Sequence, residues 1–506
     1  MRLLVSLTAA QCRFAPSLTI LIVIAALLAC VGCGDDAPSS AGEISAQPES
    51  QSAELNSDEL GDGPPPAPSL SEGYLRRSQS ARWSDNSGRR SIEAPGAALP
   101  LPPKQPGSVT WNRWRGPHFN GMSHETDWIP EFPREGPKML WRQKIGVGFS
   151  SLAIANERVY TMGNKNDHDV VTCIDAETGK IIWNTGYLAS PDGGLYGGGP
   201  SATPTVQNGK VYTLGKDGTL LCLNANDGAT LWKNELTHLT GAELPKYGFT
   251  GSPLIMGKQI ILNAGGAGLA YHKDTGDLLW ASKGLGGYAS PLPYRMEGRE
   301  VALLFSDQHI VAVDPADDGR GVWSHTWRTR ERVNAADPLL VRDKIFVSSG
   351  YGGGCAMFQM RDGKPSLMWH TQSLRSHYNP GVAIGKFVYG IDGHADGSAK
   401  NSLVCVNLTT GKPTWIRRNF GHGSLIAAGN YLIALTELGE LYILKANPHA
   451  YTEISYARVI GRRCWTAPAI SGGRVYCRNA KGTVVCIDLR PPESLEDKKF
   501  ADAKAK

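Results

Sequence analysis

Seven tryptophans, Trp141, Trp183, Trp232, Trp280, Trp323, Trp369 and Trp415, recur forty-odd residues apart, and each closes a similar phrase. ETGKIIW (177–183), NDGATLW (226–232), DTGDLLW (274–280), DGRGVW (318–323) and TTGKPTW (409–415) all place Gly four residues before Trp, and DGKPSLMW (362–369) carries a short insertion. A period of this length built from β-branched runs predicts propeller blades rather than helical repeats or heptads. The Gly permits a positive-φ turn, and the strand after it delivers the Trp.

Each unit reads as four short strands. SSLAIA, RVYTMG, VVTCID and KIIWNT make the first, between Ser150 and Thr185; ATPTVQ, KVYTLG, TLLCLN and ATLWKN make the second, between Ala202 and Asn234. Similar quartets begin near Gly251, Ala289, Ala335, Tyr378 and Ser424, the last with Ile454–Ile460 in place of a Trp-bearing strand. An eighth unit starts at Thr466 and supplies only three strands, whereas Met139–Lys144, containing Trp141, is a fourth strand with no blade before it. Joining the two predicts an all-β, eight-bladed propeller of four-stranded antiparallel blades, closed by an N-terminal strand and free of exposed edges at the seam. The seven Trp then pack between blades. High glycine (59) and modest charge (20%) suit a body of strands and tight turns. A net charge of only +5, with no basic stripe interleaved with aromatics, argues against nucleic-acid binding.

The chain outside the repeats divides into four further segments. Residues 1–33 combine Arg2 and Arg13 with the apolar run Leu18–Ala29, short enough for a signal peptide and too short for a span of ~20 residues. Its end, Leu27-Leu28-Ala29-Cys30-Val31-Gly32-Cys33, resembles a bacterial lipobox, with lipidation at Cys30 or Cys33; a plain secretory signal and a retained anchor are the alternatives. Residues 34–107, rich in Ser, Pro, Ala and Gly, bury too little to offset ordering entropy and read as a linker. Residues 108–137 lead into the propeller (138–490), and residues 491–506 form a charged tail. These features predict an exported protein, lipid-anchored in the cell envelope.

The Thr-Gly-x-x-x-Trp turns resemble the pyrroloquinoline-quinone-type propeller repeat, over Lys138–Arg490. Two kinds of protein share that repeat: periplasmic quinoprotein alcohol dehydrogenases, and the propeller lipoprotein of the outer-membrane β-barrel assembly machinery, a scaffold that binds no quinone. The segment Trp111–Pro117, with Gly121 and Gly136-Pro137, is similar to the lead-in of a broader group of secreted bacterial propellers. The dehydrogenase resemblance implies a vicinal Cys–Cys disulfide, an Asp base and Glu/Asn ligands to calcium. Here no two of the ten cysteines are adjacent, and no Cys-x-x-Cys-His for haem exists. Cys173, Cys222, Cys405 and Cys486 fall at equivalent places in separate blades, too far apart for a disulfide, and read as small buried side chains. Asp192, Asp337, Asp392 and Asp396 lie near predicted loops, where turn-capping competes with a base or ligand role. Nucleophile-elbow, zincin and phosphate-loop motifs are absent, and the Asp392–Gly397 stretch lacks the last acidic ligand of a calcium loop. No catalytic or metal residue is therefore assigned, and pyrroloquinoline quinone stays a low alternative to no cofactor.

The loops from one blade's last strand to the next blade's first line one face of the ring. They carry Tyr196, Tyr247, Phe249, Trp327, Arg328, Arg330, Arg332, Arg375, His377, Tyr378 and His422 as a candidate binding rim. Tyr, Trp and Arg dominate binding hot spots. The resulting expectation is a scaffold for envelope proteins or peptides, with a quinoprotein-type oxidoreductase or a carbohydrate-binding propeller as alternatives.

Overall fold

The structure, a computed structural model, describes residues 110–191, 197–296, 298–394 and 400–492. The leader, the lipobox cysteines Cys30 and Cys33, the linker and most of the C-terminal tail lie outside these residues. Among the described residues no helix is long and apolar enough to cross a membrane.

Eight antiparallel sheets stand around one axis, each with its first strand innermost and its fourth outermost. Blade 1 comprises Ala153–Ala155, Arg158–Lys165, His168–Asp175 and Ile181–Leu188; blade 2, Thr205–Gln207, Lys210–Leu214, Thr219–Asn224 and Thr230–Glu235. Blade 3 runs Leu254–Met256, Gln259–Leu262, Leu269–His272 and Leu278–Ala281; blade 4, Leu292–Met296, Arg299–Phe305, His309–Asp314 and Arg320–Thr326. Blade 5 is Leu339–Val341, Lys344–Ser349, Gly354–Arg361 and Lys364–Thr371; blade 6 is Val382–Ile384, Phe387–Asp392, Ser402–Asn407 and Pro413–Arg417. Blade 7 is Gly423–Ala428, Tyr431–Thr436, Glu440–Lys445 and Glu453–Arg458. Blade 8 has Ala469–Ser471, Arg474–Arg478 and Thr483–Asp488 from the end of the chain, and Lys138–Lys144 from its beginning.

That closure is the one the orphan strand predicts. Lys138 pairs with Asp488, Trp141 with Cys486 and Lys144 with Thr483. Blade 8 is then locked to blade 1. The fully buried Arg478 donates through Nη1 to Ser150 O (2.7 Å) and Thr161 Oγ1 (2.9 Å). On the surface Arg474 and Arg490 both pair with Glu177.

The tryptophans show why the repeat has its form. In all seven strands the ladder to the third strand slips by one at the residue before Trp, as at Leu231 between the pairs Thr230–Leu223 and Trp232–Cys222. This bulge breaks the two-residue alternation, so exposed apolar residues such as Ile182 and Leu279 directly precede a buried indole. The residue opposite each Trp is Cys, Ala or Met, small or soft enough to leave space for the ring. Cys173, Cys222, Cys405 and Cys486 hold this place, each flanked by a second-strand Tyr. Burial pushes these thiols up, to about 11 in the first three and about 12 in Cys486. Each indole then leans on the next blade. Trp183 Nε1 donates to Ala225 O (3.1 Å), and Gly228 sits at φ +75° beneath the ring, where an added Cβ would lie 2.5 Å from it. The same contact joins Trp141 to Gly179 and Trp369 to Gly411. The repeat glycine thus serves both the turn and the approach of the neighbouring indole.

Blade 7 has no outer Trp, and the lead-in segment covers that gap. Trp128 and Phe132 pack into the blade 7–8 core, with Phe132 N–H donating to Ser455 Oγ and Ile129 N–H to Leu489 O. Before reaching that point the segment crosses the ring. Trp111 bridges to Ile154 in blade 1 and Asn112 to Val206 in blade 2. Trp114 reaches Asp337 beside blade 5, Arg115 reaches Gly381 beside blade 6, and Met122–Ser123 add a parallel strand to Ala427–Ala428 of blade 7.

Candidate functional site

The backbone just before the inner strands forms a polar belt around the axis. Ser151 N–H donates to Thr203 Oγ1 (3.2 Å), Thr203 N–H to Ser252 Oγ (2.9 Å), Ser252 N–H to Ser290 Oγ (3.0 Å) and Ser290 N–H to Asp337 Oδ1 (2.8 Å). Blades 2 to 5 thus each supply the acceptor for an inner amide of the preceding blade, which no ladder reaches. At Asp337 the belt meets the lead-in segment: Trp114 Nε1 donates to Oδ2 at 2.6 Å. Asp337 is fully buried, and desolvation pushes its carboxyl up to about 6, against the opposing pull of Arg115. The same burial brings the Arg115 guanidinium down to about 10.

Trp114 and Asp337 are among the residues that line a cavity of about 400 Å³. Its walls are Phe149, Tyr247, Tyr288, Tyr351, His377, Tyr378 and Trp465, with Lys216, Lys246 and belt hydroxyls such as Ser252 and Ser290 also in the lining. These residues come from the loops entering the inner strands and from the loops between second and third strands, hence from one face of the ring. The rings brace one another. Tyr351 and His377 are 5.2 Å apart at 79°, with the Tyr351 hydroxyl 2.9 Å from His377 Nε2. Tyr378 packs edge-on against His422 (4.8 Å, 77°), and Phe149 stacks on Trp465 (5.5 Å, 19°).

The rim expected from sequence divides on this geometry. Tyr247, His377 and Tyr378 line the cavity. His422, 2% exposed, stands behind Tyr378 and is held by Asn401. Phe249 is not at the rim: at 1% exposure it packs in the blade 2–3 core, because the loop turns it inward against Gly218. Trp327 is likewise a core residue between blades 4 and 5, donating to Ser349 Oγ. Arg332 is paired with Asp307, and Arg375 is bound by both oxygens of Asp392. Arg328 and Arg330 are exposed. Tyr196 and the acids Asp192 and Asp396 lie outside the described residues. The sequence reading missed Trp114, Phe149, Tyr288, Tyr351 and Trp465 as lining residues. The Trp111–Pro117 motif was the available signal for Trp114; the others are isolated loop aromatics with no periodic spacing.

Among the described residues the cavity shows neither the disulfide nor the metal ligands that the dehydrogenase resemblance implies. Among the described residues no three His, Cys, Asp or Glu side chains gather to ligate a metal. The seven described cysteines are single buried thiols, none in a disulfide, and those on blade strands face the cores. Asp337, the acid in the lining, already has both oxygens engaged by Ser290 and Trp114.

A family model described as Outer membrane protein assembly factor BamB matches residues 132–244 and 167–417, together more than half of the chain. The chain is 21% identical over 378 residues to outer membrane protein assembly factor BamB of Yersinia pestis, covering 69% of this chain and 88% of that protein. It is 30% identical over 232 residues to quinohemoprotein alcohol dehydrogenase ADH IIB of Pseudomonas putida, covering 40% of this chain and 30% of that protein. Among solved structures, BamB from Moraxella catarrhalis aligns with a TM-score of 0.52 at 20% identity, over 70% of this chain and 98% of that one. Quinohemoprotein alcohol dehydrogenase from Comamonas testosteroni aligns with a TM-score of 0.54 at 15% identity, over 76% and 82%. At these identities the structural likeness is one of fold.

Proposed function

The chain belongs to the propeller family described as Outer membrane protein assembly factor BamB, and from that premise we propose that it is an envelope-anchored scaffold that captures a protein segment in its aromatic-lined cavity. The observation that carries this reading is the cavity itself: about 400 Å³, lined by seven aromatic rings and by Trp114. Pockets of this size, mostly apolar with a few placed polar groups, are the usual form of a ligand site. Tyr and Trp supply large contact area at low entropic cost. Anchoring through Cys30 or Cys33, and a role in assembling outer-membrane proteins, belong to the same proposal.

A photo-crosslinking residue at Tyr247, with a control at the exposed Lys258 on a remote hairpin, tests it in living cells. Adducts to outer-membrane assembly proteins at Tyr247 alone, weakened by Tyr378→Ala, are the expected result. Adducts confined to the control site would overturn the reading. So would stoichiometric uptake of pyrroloquinoline quinone with calcium and dye reduction by the purified chain.

A further inference from the structure

We propose that the segment captured in this cavity inserts a tyrosine side chain, its ring packed among the lining aromatics and its phenolic oxygen accepting a hydrogen bond from the belt hydroxyls. The inference rests on the protein-capture reading above and deepens it. Charge does not choose this ligand. Lys216 and Lys246 share the lining with Asp337, and Trp465 has Arg463 over its ring and Glu437 at its Nε1, so both signs are present.

The belt supplies the selective element. Thr203, Ser252 and Ser290 all line the cavity. Each hydroxyl oxygen accepts from an amide of the preceding blade. A hydroxyl also carries one proton to donate, and no protein group among the described residues accepts it from any of the three. At 1%, 5% and 8% exposure these are buried donors, which native proteins rarely leave unused. The hydrogen bonds from Thr203 to Ser252, Ser290 and Asp337 make them one continuous polar strip. The sequence repeats the device: the residue before proline at the head of the inner strand is Thr203, Ser252, Ser290, Asp337 and Asn379 in five successive blades. Asn379 in turn has its Nδ2 buried without an acceptor.

The rest of the wall is mainly aromatic. A matching group therefore joins a large apolar body to an oxygen acceptor. Among protein side chains, Phe and Leu have no acceptor, and Trp, Lys and Arg only donate. Ser, Thr, Asn, Gln, Asp and Glu carry oxygens but too little apolar surface to cover a wall of rings. Tyr has both, and a cavity of about 400 Å³ holds one or two such rings. The phenol's own proton has an acceptor in the same strip. An ionised carboxylate offers about four lone-pair sites, and at Asp337 the Ser290 amide and the Trp114 indole use two of them.

The test is titration calorimetry of the full chain with the capped, uncharged peptides Gly-Gly-Tyr-Gly-Gly, Gly-Gly-Phe-Gly-Gly and Gly-Gly-Trp-Gly-Gly, and with maltoheptaose. The Tyr peptide is expected to bind about tenfold more tightly than the Phe peptide, with a ratio that salt leaves unchanged. Among Thr203→Val, Ser252→Ala and Ser290→Ala, the variant that removes the donor used by the phenol is expected to bring Tyr down to the Phe level, with Phe binding unchanged. Each substitution also takes an acceptor from a neighbouring amide, so where a variant fails to fold the ratio in the parent protein decides. Equal binding of the Tyr and Phe peptides, or tighter binding of Phe or Trp, would overturn the inference and leave capture of protein intact. A Tyr preference that survives in all three folded variants would take the belt out of the argument and sink it as well. Binding of maltoheptaose and of no peptide would overturn both readings, and no binding by any probe would overturn this inference alone, since the Tyr247 crosslinks report the broader one.

Discussion

Replacing Asp337 with Asn tests the buried junction between the propeller and its lead-in segment. In the folded protein desolvation holds the Asp337 carboxyl at about 6, against an ordinary value of 3.8. The folded state therefore keeps this proton more tightly than the unfolded chain does. The contribution is full below about pH 4 and is lost as pH rises toward and through 6. At about 1.4 kcal/mol per pH unit the whole change is about 3 kcal/mol, of which about 2 kcal/mol falls between pH 4.5 and 7.5. Asn cannot titrate. It keeps one acceptor for Ser290 N–H or Trp114 Nε1–H and turns its amide toward the other donor, at a cost of about 1–3 kcal/mol. The variant should thus trail the parent by about 1–3 kcal/mol at pH 7.5 and by about 2 kcal/mol more at pH 4.5. Urea unfolding followed by tryptophan fluorescence at a series of pH values measures the difference, and groups common to both proteins cancel. Parallel curves, with a constant gap between Asp and Asn across the range, would refute the buried-carboxyl argument.

Trp114→Phe keeps most of the ring and removes the 2.6 Å donor to Asp337, so it should destabilise by about 1–3 kcal/mol at pH 7.5 and less at pH 4.5, read by the same unfolding series. Gly228→Ala should cost the roughly 1–2 kcal/mol of a left-handed backbone plus roughly 1–3 kcal/mol for the clash with Trp183, whereas Gly209→Ala, at φ +74° with open space around it, should cost only the first; equal losses in thermal unfolding would refute the inter-blade role of the repeat glycine. At the closure, Trp141→Ala should lose about 3–5 kcal/mol, while Glu177→Ala, which breaks exposed pairs to Arg474 and Arg490, should stay within about 1 kcal/mol.

The ring was legible in the sequence because its determinants are local and repeated. The Gly four residues before Trp states the turn and the outer strand together, and the orphan strand around Trp141 states the closure. What the repeat conceals is the bulge before each Trp, since Ile182 or Leu279 beside an indole reads as an ordinary apolar run until the pairing is seen. The cavity was legible only in part. Tyr247, His377 and Tyr378 sit in loops that the blade count assigns to the channel mouth. Phe249 and Trp327 sit in the same loops yet are turned into the core by neighbours distant in sequence, and no local signal separates the two fates. Trp114 belongs to a segment outside the repeat, so its place in the cavity lining follows only from the path of the lead-in across blades 1, 2 and 5.

Sharing one blade between the two ends of the chain also fixes the order in which the molecule can be assembled. In synthesis from the N-terminus, residue 139 emerges long before residue 487, its ladder partner, so the strand that carries Trp141 must wait while the intervening sheets form. That final meeting spans nearly the whole repeat region and bears the loop-closure entropy of a very distant contact. A chain cut short before Thr483 is left not as a smaller ring but as an open arc, with unpaired backbone at both ends and every reason to join another copy of itself.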